Sequence, residues 1–306
     1  QVVWRGKKRT KGDSGEVFLT VQAGEDWDEL VAYCVEHGLC GLESLSGIPG
    51  NVGASVIQNI GAYGYEISKV LEQVDFLDHH TREEQTLSAN DLGLGHRTSH
   101  IKTGELPGMV LSVTFRLEHN PQSLPIAYQQ VADALGLALG ESVDLSVLRD
   151  TVLKLRRSKG MVIDPDEPDS RSVGSFFINP VVSEQFSYSL PPDMPRWRLG
   201  ESKDTVVALA EIDDEQPSES APSRSKDGLV KLSAAWLIEH SGIPRGFQLP
   251  GNPASVSTKH TLAITNPGEA TSEDVSALAR YIRTQVANTY GVVLQPEPTL
   301  VGVPLD

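Results

Sequence analysis

Between Gly41 and Gly64 the chain reads GLESLSGIPGNVGASVIQNIGAYG, with glycine at 41, 47, 50, 53, 61 and 64. Glycine at this density inside apolar text lets main-chain N–H and C=O groups approach a flat ring or a pyrophosphate without side-chain obstruction. Gln58, Asn59 and Tyr63 add polar handles. The same composition suits a buried, tightly turned loop with no ligand, and glycine count alone does not separate the two. Two nucleotide motifs of known mechanics are missing: no G-x-x-x-x-G-K-[ST] is present, and no G-x-G-x-x-G follows a strand-like run. Cys34 and Cys40 are the only cysteines, too few for a disulfide framework and without metal-ligand spacing. No metal is expected, and a reducing compartment fits. Taken singly, Arg97 in HRTS reads as a salt-bridging arginine, Ser175 in GSFF as a turn serine, and Glu297 in QPE as a solvated strand-end carboxylate.

Several elements are available to position such groups. EVFLTVQ (16 to 22) alternates Val17, Leu19 and Val21, the period of a half-buried strand. In the following DWDELVAYCVEHG, Asp26 and Glu29 make a capping-box-like start, Trp27, Leu30, Val31 and Cys34 share a face, and Gly38 suits a helix stop. Strand-like runs recur at 70 to 77 and 109 to 117, after which EHNPQS reads as a domain boundary. The second half alternates signals: helix stripes at Leu145, Leu148, Val152 and Leu155 and at Val275, Leu278, Ala279, Ile282 and Val286, with strands at 205 to 212 and 261 to 265. Thr271 and Asp274 open the last helix and Gly291 closes it. Arg156 and Arg157 read as solvated helix-end charges, and the Pro-, Ser- and charge-rich stretch near 215 to 228 as a surface insertion.

A length of 306 residues is ordinary for two domains of mixed α and β structure. The formal net charge of -15, from 41 acidic and 26 basic side chains, argues against nucleic acid as a partner, because a phosphate-backbone footprint needs clustered Lys and Arg. A small anionic ligand stays compatible, since a few cations focused in one place dominate the local field. No apolar run approaches the roughly 20 residues that span a bilayer, so no membrane partner is expected.

The 41 to 64 run closely resembles the flavin-contacting signature of the UDP-N-acetylenolpyruvoylglucosamine reductase family, and it does not stand alone. GHRTSHIK (95 to 102), SVGSFFINP (172 to 180), KLSAAWLIEHSGI (231 to 243) and LQPEPTLVG (294 to 302) resemble further motifs of that family in the family's order. The resemblance implies an α+β chain: a vanillyl-alcohol-oxidase/PCMH-type FAD-binding domain over 1–118, then a substrate-binding domain over 119–306. It implies FAD and NADPH as cofactors, a nucleotide-sugar substrate whose enolpyruvyl ether is reduced, and a monomer in the bacterial cytoplasm. Cofactor contacts carry over to Ser46, Gly47, Ile48, Pro49, Gly50, Gly53, Gln58, Asn59, Gly61, Ala62 and Tyr63. Arg97, Ser175 and Glu297 carry over as catalytic residues, and Tyr128, Lys159 and Asn179 as substrate contacts.

The implied chemistry accounts for these residue types. As hydride reaches the methylene carbon, negative charge builds beside the substrate carboxylate. Arg97 and a protonated Glu297 then stabilise that charge, and Ser175 delivers a proton to the adjacent carbon. Tyr128 resembles the tyrosine of a closing loop, with a core anchor at a helix start as its competitor. Two departures stand out: no glycine-rich GGGSN-like segment precedes Gln1, so the FAD-binding domain reads as incomplete at its start, and His96 occupies a position where the family pattern has tyrosine. A flavin oxidase of the same superfamily and an inactive sugar-nucleotide-binding fragment remain as alternatives.

Overall fold

In a computed structural model covering residues 8–11, 15–199, 228–303 and 305, β1 (Lys8–Lys11) runs antiparallel to β2 (Glu16–Gln22). Val17, Leu19 and Val21 are the buried face of β2, as the alternation requires. Helix α1 (Trp27–Glu36) starts on Asp26, whose side chain accepts from the Glu29 N–H, and its buried face is Trp27, Leu30, Val31 and Cys34. Then come β3 (Leu39–Cys40), α2 (Val52–Gln58), the hairpin strands β4 (Gly61–Ala62) and β5 (Tyr65–Glu66), β6 (Leu71–Asp78), β7 (Glu84–Ser88), α3 (His100–Thr103) and β8 (Gly108–His119). These strands build an antiparallel sheet in the order β1-β2-β8-β6-β7, with β3 also on β8. Its apolar face meets α1 and α2 in one core, where the Trp27 and Phe115 rings meet edge to face at 6.0 Å.

Helices α4 (Gln129–Leu135) and α5 (Leu145–Ser158) follow. Ile126, Tyr128, Val131, Ala132, Leu148 and Val152 form a small separate core, with Tyr63 packed against it. The described residues divide into two compact units between Arg156 and Arg157, within the last turn of α5. Residues 119 to 156 therefore pack in the first unit, although the chain text changes character after 118. The small core explains why: its stripe on α5 is shared with the β4–β5 hairpin.

The second unit contains β9 (Ser172–Ser175), β10 (Val181–Ser183), α6 (Glu184–Ser187), β11 (Arg196–Leu199), β12 (Leu229–Leu232), α7 (Ala234–Glu239), β13 (Ser255–Val256), β14 (Ala263–Thr265) and α8 (Ser272–Tyr290). Two small antiparallel sheets, β10-β12-β11 and β13-β14-β9, share a core with α7 and α8. The α8 stripe buries Leu278, Ala279, Ile282 and Val286, its capping box joins Thr271 and Asp274, and Gly291 takes the left-handed conformation at its end. The strand read at 205 to 212 and the insertion near 215 to 228, apart from Gly228, lie outside the described residues.

Candidate active site

The glycine-rich segment of the first unit is held at its start by polar groups. Ser46 is fully buried and its hydroxyl donates to the Glu43 carbonyl at 2.6 Å, while the Gly47 N–H donates to Asp28 Oδ1 at 2.6 Å. Arg149 of α5 grips the same Asp28 carboxylate with two hydrogen bonds of 2.7 and 2.8 Å. Burial raises the Asp28 carboxyl, but these donors outweigh it and hold its pKa below the ordinary value. Ile48 packs onto the core, whereas Pro49 and Gly50 are exposed. Gly50 has φ of +115°, and a side chain there would meet nothing within 4 Å, so backbone lies open at this point.

The segment is not a loop throughout, because residues 52 to 58 form α2. Glycine inside a helix lowers its propensity, and packing supplies the reason for Gly53. Its N–H donates to the Ala23 carbonyl at 2.9 Å, and a Cβ at Gly53 would sit 2.7 Å from the Ala23 methyl. Asn59 ends α2 in the left-handed region (φ 45°), and its buried amide donates to Glu66 Oε2 at 3.2 Å and the Gly95 carbonyl at 2.8 Å. Gly61 and Ala62 pair with Glu66 and Tyr65 across a two-residue turn, Tyr63-Gly64, whose residues both have positive φ.

Arg97 lies against this same end of α2. It sits in a tight turn closed by Gly95 and Thr98, with φ of 54°, an unusual conformation for a branched-chain-free but bulky residue. Its guanidinium donates to the Gly61 carbonyl at 2.5 Å and the Asn59 carbonyl at 3.5 Å, and lies 3.6 Å from Glu66 Oε1. Lys102 of α3 donates to Gln58 Oε1 at 2.7 Å and to the Arg97 carbonyl at 3.0 Å. Arg97, read as a catalytic residue, thus joins Gln58, Asn59 and Gly61, read as cofactor contacts, in one constellation of the first unit. An open backbone stretch at one end of α2 and polar side chains at the other fit a flat, hydrogen-bonding cofactor.

In the second unit Ser175 ends β9, opposite Ala263 of β14. The next residue anchors the C-terminal segment: the Phe176 carbonyl accepts from the Glu297 N–H at 2.9 Å, Phe177 bridges Pro296, and the Ile178 N–H donates to the Gln295 carbonyl at 2.9 Å. This short pairing sets Glu297 opposite Phe176, the residue that follows Ser175. Phe176 and Phe177 are buried, so the apolar pair fixes the strand while its flanking polar residues stay half-buried. Ser175 Oγ lies 3.5 Å from His260 Nε2. His260 is 9% exposed and sits on a loop clamped by Asp169, which accepts from the Ser257 hydroxyl (3.1 Å) and from the Thr258 N–H (3.0 Å) and hydroxyl (2.6 Å). Asn179 accepts from the Ala234 N–H at 2.8 Å at the start of α7, and Lys159 is half-buried just beyond α5.

Residues 165–301 match the family profile described as UDP-N-acetylenolpyruvoylglucosamine reductase, C-terminal domain, and residues 7–88 match that of the FAD binding domain. The UDP-N-acetylenolpyruvoylglucosamine reductase of Leifsonia xyli subsp. xyli is 51% identical over 314 residues, covering 100% of this chain and 82% of that protein. The protein of the same name from Saccharopolyspora erythraea is 44% identical over 307 residues, covering 100% of this chain and 79% of its own. The chain belongs to the UDP-N-acetylenolpyruvoylglucosamine reductase family. A crystal structure of UDP-N-acetylenolpyruvylglucosamine reductase from Thermus caldophilus shares the fold, with a TM-score of 0.55 at 23% identity over 91% of this chain and 70% of that one.

Within this reductase-family chain, Tyr128 is 4% exposed, immediately precedes α4, and meets the Tyr63 ring edge to face at 5.2 Å. Arg156 is not a solvated helix-end charge: it is half-buried near Tyr63 and Asp28, and burial lowers its pKa while both neighbours oppose that. Arg157 is exposed. Two residues of the constellations escape motif reading, Glu66 in GYE and His260 in TKHT, because each works through a partner distant in the text. No group of three or more His, Cys, Asp and Glu suited to a metal occurs among the described residues.

Proposed function

We propose that this chain is an FAD-dependent, NADPH-using reductase that converts the enolpyruvyl ether of UDP-N-acetyl-3-O-(1-carboxyvinyl)glucosamine to UDP-N-acetylmuramate in peptidoglycan precursor synthesis. The backbone pairing of Glu297 with Phe176, the residue that follows Ser175, in a chain of this family, supports the reading. Bound FAD supplies a two-electron relay between NADPH and the substrate's methylene carbon. Residues 46–50, 53, 58, 59 and 61–63 hold the cofactor, chiefly through backbone, and we assign flavin binding to 1–118 and sugar-nucleotide binding to 119–306. Arg97 faces the substrate carboxylate, where its charge opposes the negative charge that develops during reduction. Glu297 donates a hydrogen bond to the same charge, and Ser175 gives its proton to the neighbouring carbon. Lys159, Asn179 and Tyr128 contact the sugar nucleotide. Buried Cys34 and Cys40, neither of them in a disulfide, support a reducing cytoplasm as the site of action, and we assign a monomer.

Anaerobic stopped-flow on the flavin-loaded chain tests this reading. Flavin absorbance is expected to bleach with NADPH and return on adding the enolpyruvyl sugar. Rapid return with oxygen and none with the sugar would establish an oxidase instead.

A further inference from the structure

Glu66 of β5 gathers three donors on one carboxylate. Asn59 Nδ2 lies 3.2 Å from Oε2, while His96 Nδ1 and Arg97 Nη1 both approach Oε1, at 3.4 and 3.6 Å. The Glu66 and Arg97 side chains are 19% and 18% exposed, whereas that of His96 is 43% exposed. A Cβ at Gly61 would stand 2.6 Å from Glu66 Cγ and 2.7 Å from Arg97 Nη1, so glycine keeps open the slot in which the pair lies. The guanidinium is thus bounded by the carbonyls of Asn59 and Gly61 and by one carboxylate, itself tied to the end of α2. Burial raises the Glu66 carboxyl, and the hydrogen bond from His96 and the charge of Arg97 outweigh it, so the group stays ionised.

We infer that Glu66 is a positioning residue for Arg97, and that His96, on the same carboxylate oxygen, makes the effective charge of Arg97 depend on pH. The inference rests on the reading of Arg97 as the cation facing the substrate carboxylate. With His96 neutral, Glu66 offsets much of the guanidinium charge; with His96 protonated, one anion is shared by two cations and more positive potential reaches the substrate. Lys102 of α3 also packs against the cluster and bonds the Arg97 carbonyl; His100 of α3 pairs instead with Glu105.

The test uses the flavin-loaded full chain, with calorimetric binding of the enolpyruvyl sugar nucleotide and single-turnover flavin reoxidation measured from about pH 5.5 to 8. In the native chain, affinity and reoxidation are expected to rise as pH falls across this range. His96→Gln should keep the alkaline values and lose that rise. Glu66→Ala should weaken binding about tenfold, equivalent to about 1.4 kcal/mol. Glu66→Gln, which keeps an acceptor, should restore part of the affinity without the pH dependence. Unchanged binding in Glu66→Ala, or a native pH rise in His96→Gln, would overturn the inference. Arg97→Lys separates the two readings: if it is impaired while Glu66→Ala is native, Arg97 keeps its role and Glu66 loses its own. If Arg97→Lys binds and reoxidises normally, both fall.

Discussion

A serine hydroxyl is a weak acid, so the role proposed for Ser175 requires a strongly basic intermediate to draw off its proton. His260 Nε2 lies 3.5 Å from the Ser175 Oγ. Ser175→Ala is expected to slow flavin reoxidation by the enolpyruvyl sugar by about 10²–10⁴-fold and leave flavin reduction by NADPH untouched. The task proposed for Glu297 is different, donation without transfer. Glu297→Gln, which keeps a donor, should therefore retain far more reoxidation rate than Glu297→Ala, whose loss should be about 10²–10³-fold as for other preorganised donors. Equal losses in the two variants would remove the donor role. Ser175, Arg97 and Glu297 were legible only through ordered motifs, since each has an ordinary structural use when read alone. His260 and Glu66 were not legible, because the contacts that define them span 85 and 30–31 residues of chain and follow from folding.

Among the elements, α1 does more than bury its apolar face. Asp28 in its first turn ties the Gly47 N–H to Arg149 of α5, so one carboxylate fixes both the entry to the glycine-rich segment and the helix beside it. Its lowered pKa makes this contribution pH-dependent: it is fully present above the ordinary carboxylate value of about 3.9 and lost as pH falls through the lower folded value. Asp28→Asn should destabilise the protein by about 1 kcal/mol at neutral pH, a charged hydrogen-bond contribution discounted for partial exposure. In urea titrations from pH 7 downward that deficit should shrink in acid; a constant deficit would show that the charge plays no part. Strands β2, β6 and β8 and helices α1, α5 and α8 were readable because their apolar residues repeat at the period of the element. Helix α2 was hidden by its glycine, which close packing on Ala23 requires. The β4–β5 hairpin was hidden by Tyr63, a residue that turn chemistry does not favour at positive φ. The bridge from Phe177 to Pro296 joins distant text, and no local pattern announces it.

Over the whole molecule, a net charge of -15 would repel a doubly phosphorylated, carboxylated sugar were it not for cations held at particular places. Arg97, Lys102 and Arg156 belong to the first unit, and Lys159 to the second. In the proposed reaction hydride goes to the methylene carbon of the enolpyruvyl group, and the neighbouring ether carbon takes the solvent-exchangeable proton of Ser175. The most direct measurement is the position of label in the product. With deuterium at the transferring position of NADPH in ordinary water, and with ordinary NADPH in deuterated water, the product is read by NMR. The account predicts that the ether carbon carries solvent deuterium in full and none of the reductant's. Deuterium from NADPH on the ether carbon would contradict it.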